Sequence, residues 1–150
     1  MRFAREFRFL SLLALLSLGV SHPRLEAQQG DTTAVRLATS ATTAWLALVD
    51  AGKYGESWTT AASAFQKAVT QADWSQALTR ARGPYEPFGA RTLLAARYLE
   101  NIPNAPPGPY VVIQYQTKAG GGHEVVETIS LMREGPGNWL VGGYFIKPTS

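Results

Sequence analysis

Apolar side chains recur on two different periods along this chain, and the change falls near Pro84. In DTTAVRLATSATTAWLALVDAG, the residues Val35, Ala38, Ala41, Trp45, Leu48 and Gly52 stand at steps of three and four, the spacing of a helix with one buried stripe. Gly52 suits the stop, since glycine takes the left-handed conformation that often follows a last helical turn. YGESWTTAASAFQKAV repeats the pattern through Tyr54, Trp58, Ala61, Phe65 and Ala68, which predicts one second helix folded back on the first as a hairpin. Thr70 with Asp73 three residues on forms a variant capping box for a short third helix carrying Trp74, Leu78 and Ala81. Gly83 and Pro84 end it.

Beyond Pro84 the period becomes two. ARTLLAARYL, PYVVIQYQT, HEVVETISLM and NWLVGGYFI read as four strands, separated by the turn-forming stretches NAPPGP, AGGG and EGPGN. The last two connections are short enough for hairpins. Gly142 and Gly143 inside the fourth strand predict a bend, a bulge or a close approach by a helix. Three N-terminal helices followed by a four-stranded antiparallel meander make an α+β domain, a curved sheet packed on helices in the NTF2-like or cystatin-like manner.

The first 27 residues carry a different pattern. Arg2, Arg5 and Arg8 precede an uncharged apolar run from Phe9 to Val20, too short to cross a bilayer and ordered like a secretory signal peptide. A cut after Ala27, or near Ser21, would release an exported chain, periplasmic or extracellular, with no stable membrane anchor. Residues 28–40 then form a polar lead and the start of the first helix, and residues 41–148 a single domain. Four of the fourteen basic and two of the eleven acidic residues leave with residues 1–27, so the formal net charge falls from +3 to +1. No basic block remains to track phosphates, which argues against nucleic-acid binding. The absence of cysteine excludes disulfides and thiolate chemistry, so the domain is held by its core.

The run AWLALVDAGKYGESW, then Trp74, RARGPYEPFGARTL, PPGPYVVIQYQT, VVET and NWLVGGYFIK together resemble the bacterial family DUF4019 over about residues 41 to 147. The resemblance implies a small exported protein and no assigned activity. Two positions depart from the pattern: AGGGH stands before VVET where a bulkier, more basic loop is usual, and Leu140 follows Trp139 where a basic residue is common.

Candidate chemistry is sparse. His123 is the one histidine after residue 27, and none of Ser40, Ser57, Ser63, Ser75 or Ser130 lies in a nucleophile elbow. No metal-ligand spacing occurs, and no cofactor is implied. Glu127 is the exception. In HEVVETISLM it shares a strand face with Val125, Ile129 and Leu131, while Val126, Thr128 and Met132 take the other. It either pairs with Arg91 or Arg97, or stands at the rim of the sheet, or acts as a general base in a pocket with Tyr115 or Tyr144 as a proton donor. Asp50 is placed on the solvent side of the first helix, and Glu56 in the first turn of the second. Trp45, Trp58 and Phe65 read as core, and Trp139 as packing or the lip of a pocket.

Arg91, Tyr115, Glu127, Trp139 and Tyr144 are therefore the pocket candidates, with Glu127 the one catalytic candidate. The expected function is non-enzymatic binding of a small apolar ligand or an envelope protein. The alternatives are a cofactor-free isomerase or lyase and an assembly module, including a homodimer, using the outer sheet face.

Overall fold

A computed structural model describes residues 23–149, with side chains from residue 31. The apolar run of the expected targeting segment lies outside the described residues. Four helices come first: α1 (Pro23–Asp50), α2 (Tyr54–Thr59), α3 (Ser63–Ala68) and α4 (Gln71–Arg82). They are followed by β1 (Arg91–Leu99), β2 (Tyr110–Lys118), β3 (Glu124–Arg133) and β4 (Trp139–Pro148), an antiparallel meander in the order β1-β2-β3-β4. The domain is α+β, with all four strands near their expected bounds.

The helical half differs in three ways from the reading of the periodicity. First, α1 extends through the expected polar lead to Pro23. Among the residues whose side chains are described, its buried stripe begins at Ala34.

Second, the expected single second helix is two. The chain breaks at Thr60–Ala62, where the Ala62 N–H donates to Val141 O on β4 at 2.8 Å instead of continuing the helical ladder. Gln66 Nε2 caps the freed end by donating to the carbonyls of Trp58, Thr59 and Ala61 at 2.9–3.1 Å. Trp58 and Phe65 still both reach the core, so the break leaves the apolar period intact.

Third, the buried stripe of α4 is Trp74, Leu78 and Arg82, while Ala81 is exposed. The predicted cap is present: Asp73 N–H donates to Thr70 Oγ1 at 3.2 Å. Gly83, with φ −46°, continues into a 3-10 turn instead of reversing the chain.

Helix α1 crosses the inner face of the sheet and touches all four strands. Ala38, Trp45, Leu46 and Val49 pack on Val111, Ile113, Ile129, Leu131 and Val141. Each large aliphatic side chain buried this way contributes about 1.5–3 kcal/mol. Indole N–H groups tie the helices together: Trp45 donates to Ser57 O at 2.9 Å and Trp74 to Ser57 Oγ at 3.0 Å.

β3 alternates as expected, with Val125, Glu127, Ile129 and Leu131 buried. In the β3–β4 ladder Ser130 pairs with Gly143 but Leu131 with Val141, so Gly142 is the extra residue of a bulge. On the outer face α3 borders the sheet beside β4. The loop between β1 and β2 folds over one end of that face, where the Tyr110 hydroxyl donates to Pro106 O at 2.6 Å.

Candidate functional site

Two features distinguish the inner and outer faces: a buried charge cluster and an apolar groove. The cluster forms where α1 and α4 end over the sheet. Arg82 is the last residue of α4, in phase with Trp74 and Leu78, and is 1% exposed. Asp50 is the last residue of α1, Arg91 opens β1, and Glu127, fully buried, lies mid-β3. Arg91 binds both acids: Nε and Nη2 donate to Glu127 at 2.6 and 3.2 Å, Nη1 and Nη2 to Asp50 at 2.6 and 2.9 Å. Arg82 donates to Asp50 Oδ1 at 2.7 Å and to the Tyr144 hydroxyl at 2.8 Å. Tyr144 in turn donates to Glu127 Oε1 at 2.6 Å, and Thr117 Oγ1 to Glu127 Oε2 at 2.5 Å. Inside the cluster two guanidinium groups face two carboxylates, and at its margin the half-exposed Glu86 lies 3.6 Å from Arg82 Nε as a third.

The electrostatics follow from this pairing. Burial opposes ionisation of Asp50, yet the guanidinium groups of Arg91 and Arg82 outweigh it and hold the carboxyl below its usual 3.8. Burial likewise works against the charge on Arg91, and Asp50 and Glu127 reverse the balance and raise its pKa. The Tyr144 hydroxyl is raised well above its usual 10.0, first by burial and then by the charge of Glu127 beside it. The Arg82 guanidinium also lies 3.7 Å from the centroid of Phe88, a cation–π contact.

Glu127 therefore meets Arg91, while Arg97 is exposed on β1 and takes no part. Asp50 does not lie on a purely solvent side: it is 31% exposed and paired with both arginines. Tyr144 binds Glu127 directly. Tyr115 pairs with Glu127 across the strands, but its hydroxyl is not among the groups that hold the carboxylate. Trp139 lies away from the cluster, buried edge-on against Tyr98, and lines a separate groove with Ala41, Trp45 and Leu48. The five candidates thus do not share one pocket. Sequence reasoning missed Arg82 and Thr117; the i, i+4 step from Leu78 was the available signal for Arg82.

With four hydrogen bonds below 3.3 Å, Glu127 has used the roughly four acceptor sites of a carboxylate. What this arrangement does well is clamp two helix ends to all four strands. Among the described residues, no three His, Asp or Glu side chains are grouped as metal ligands would be.

The second feature is on the outer face. A groove of about 360 Å³ is bounded by α3 (Ala64, Phe65, Ala68), by Ile102 of the β1–β2 loop, and by Met132 and Phe145. The bulge pair Gly142 and Gly143 forms part of its floor. A Cβ on Gly142 would lie 3.6 Å from Met132 Sδ, an ordinary contact distance. Phe145 stands at its edge, 68% exposed.

No curated protein matches the chain. A family model described as a protein of unknown function, DUF4019, matches residues 41–144, which run from mid-α1 to the Tyr144 that binds Glu127. The match takes in both the charge clamp and most of the groove wall, and the chain belongs to the DUF4019 family.

Proposed function

We propose that this chain is an exported, non-enzymatic binding domain whose outer-face groove holds a small apolar ligand. The observation that carries the reading is the groove itself. Its volume of about 360 Å³ lies within the roughly 300–1,000 Å³ typical of small-molecule sites. Its wall is mainly aliphatic and aromatic, with two glycines in the floor and Tyr110 and Ser130 supplying the polar groups that would orient a ligand. The basic lead and apolar run of residues 2–20 support export. Among the described residues no helix is long and apolar enough to cross a membrane.

The cluster around Glu127 supports the non-enzymatic part of the reading. A general base needs an oxygen free to take a proton from substrate. Glu127 is fully buried and its oxygens are held by Arg91, Thr117 and Tyr144.

The test is fluorescence titration of the folded domain with the neutral apolar probe N-phenyl-1-naphthylamine. Saturable binding is expected. It should fall at least tenfold in Ala64→Phe, because Ala64 is half-buried on the groove side of α3 and a ring there fills the space. Absence of saturable binding, or equal binding in the filled variant, would overturn the reading.

A further inference from the structure

The outer sheet face is bare over most of its area, and its residues are of an unusual kind for a solvated surface. Along β2, β3 and β4 it presents Val112, Gln114, Val126, Thr128, Ser130 and Phe145, none of them charged. Gln114 Nε2 is already engaged with Thr128 Oγ1 at 3.2 Å, so the centre makes little demand for water. The charged side chains of this face are set at its margins: Arg97 on β1, and Lys118, Glu124 and Lys147 at the far ends of their strands. An uncharged middle inside a charged margin is the anatomy of a protein interface.

Phe145 identifies the partner. It projects from this face with 68% of its surface exposed, the most exposed large apolar side chain among the described residues. Beside it, on the same face, lies the groove of about 360 Å³, ample for a phenyl ring. A projecting ring and a neighbouring hole on one surface are self-complementary. A twofold axis lying in the plane of the face, midway between them, carries each ring into the other copy's groove.

Charge agrees with this choice. Two identical copies bring identical charges together near their axis, and here the middle of the face carries none. The area suits a weak, concentration-dependent pair, below the standard size. Four strands spaced about 4.8 Å and about 30 Å long give roughly 600 Å² in projection before side-chain relief is counted. A standard interface takes roughly 800 Å² from each partner.

We infer that the domain pairs with a second copy of itself through the outer sheet face, the Phe145 ring of each copy seated in the groove of the other. The inference shares its groove with the apolar-ligand reading but gives it a different occupant, so ligand and second copy exclude one another. Apolar ligand would then release monomers, and dimerisation would protect an empty groove.

Sedimentation velocity over a micromolar-to-millimolar range, on the mature domain and on Phe145→Ser, tests it. Phe145 is exposed, so the substitution leaves the fold intact, which an unchanged Tm verifies. The wild type is expected to shift from monomer to dimer with concentration, and Phe145→Ser to stay monomeric at tenfold higher concentration. Saturating N-phenyl-1-naphthylamine should return the wild type to monomer. A wild type that stays monomeric throughout, or a dimer unaffected by Phe145→Ser, overturns the inference. Probe binding to the wild type at concentrations where it is monomeric separates the two claims, since Phe145 itself bounds the groove. If the wild type binds probe but never dimerises, the ligand reading stands and the pairing fails. If the wild type dimerises through Phe145 and its monomer binds no probe, the pairing stands and the ligand reading fails.

Discussion

Replacing Glu127 by glutamine removes one negative charge from the clamp while keeping the side chain's shape. Arg82 and Arg91 then keep Asp50 and, at the half-exposed margin, Glu86 at 3.6 Å from Arg82 Nε, but the interior of the cluster, where Arg82 is 1% exposed, loses its one fully buried counter-charge. Breaking a buried ion pair from one side costs about 3–5 kcal/mol, because the abandoned charge stays buried. For a domain of about 120 residues, each kcal/mol is worth roughly 4 °C, so the expected fall in Tm is about 12–20 °C. Calorimetry or circular dichroism at pH 7 measures it. The reasoning can be checked by a second step. Adding Arg91→Met to Glu127→Gln removes the guanidinium that Glu127 neutralised and leaves Arg82 with Asp50 and Glu86, so the double variant should be at least about 1 kcal/mol more stable than the sum of the single losses. Unchanged or raised Tm in Glu127→Gln would refute the clamp, as would strictly additive losses.

Three further outcomes follow from the same geometry. The Asp50 carboxyl is held below 3.8, so the unfolded chain binds its proton first as pH falls; the stability it contributes is complete above that value and lost below it, as the folded group protonates. Thermal melts from pH 6 downward should show an acid limb that is reduced in Asp50→Asn. A Cβ on Gly120 would stand 2.1 Å from Glu86 O, a backbone atom that cannot simply turn aside, so Gly120→Ala should lower stability by about 1–3 kcal/mol in chemical denaturation. Ser57→Ala strips the Trp74 indole of its buried acceptor and should cost about 1–3 kcal/mol by the same measurement.

β2 and β3 were legible because they alternate cleanly between turn signals, whereas β1 carries an irregularity between Leu93 and Ala95; the phase of β3 alone correctly put Glu127 with Val125 and Ile129. The break between α2 and α3 was not, because it depends on Ala62 finding Val141 O on a strand far along the chain while Trp58 and Phe65 keep helical spacing. Asp50 was misplaced for a related reason. A carboxylate at a helix C-terminus opposes the helix dipole and normally faces water. Here two arginines distant in sequence offset that, and only the fold brings them together. Arg82 was readable in principle, one turn beyond Leu78 on the buried stripe, but a cationic residue at the end of a helix reads first as a solvated cap. The groove left almost no trace in the sequence. The Gly142 and Gly143 pair announced the bulge, not the space that α3 and the β1–β2 loop close around it.

Under the proposed function the clamp around Glu127 holds the fold, and the groove beside Phe145 takes the ligand. Mapping amide chemical-shift changes by NMR during titration with N-phenyl-1-naphthylamine tests it most directly. The account predicts changes concentrated at Ala64, Ala68, Met132, Gly142 and Gly143, with Asp50, Arg91 and Glu127 little moved. Changes centred on Asp50, Arg91 and Glu127 would contradict it and return the binding function to the charge cluster.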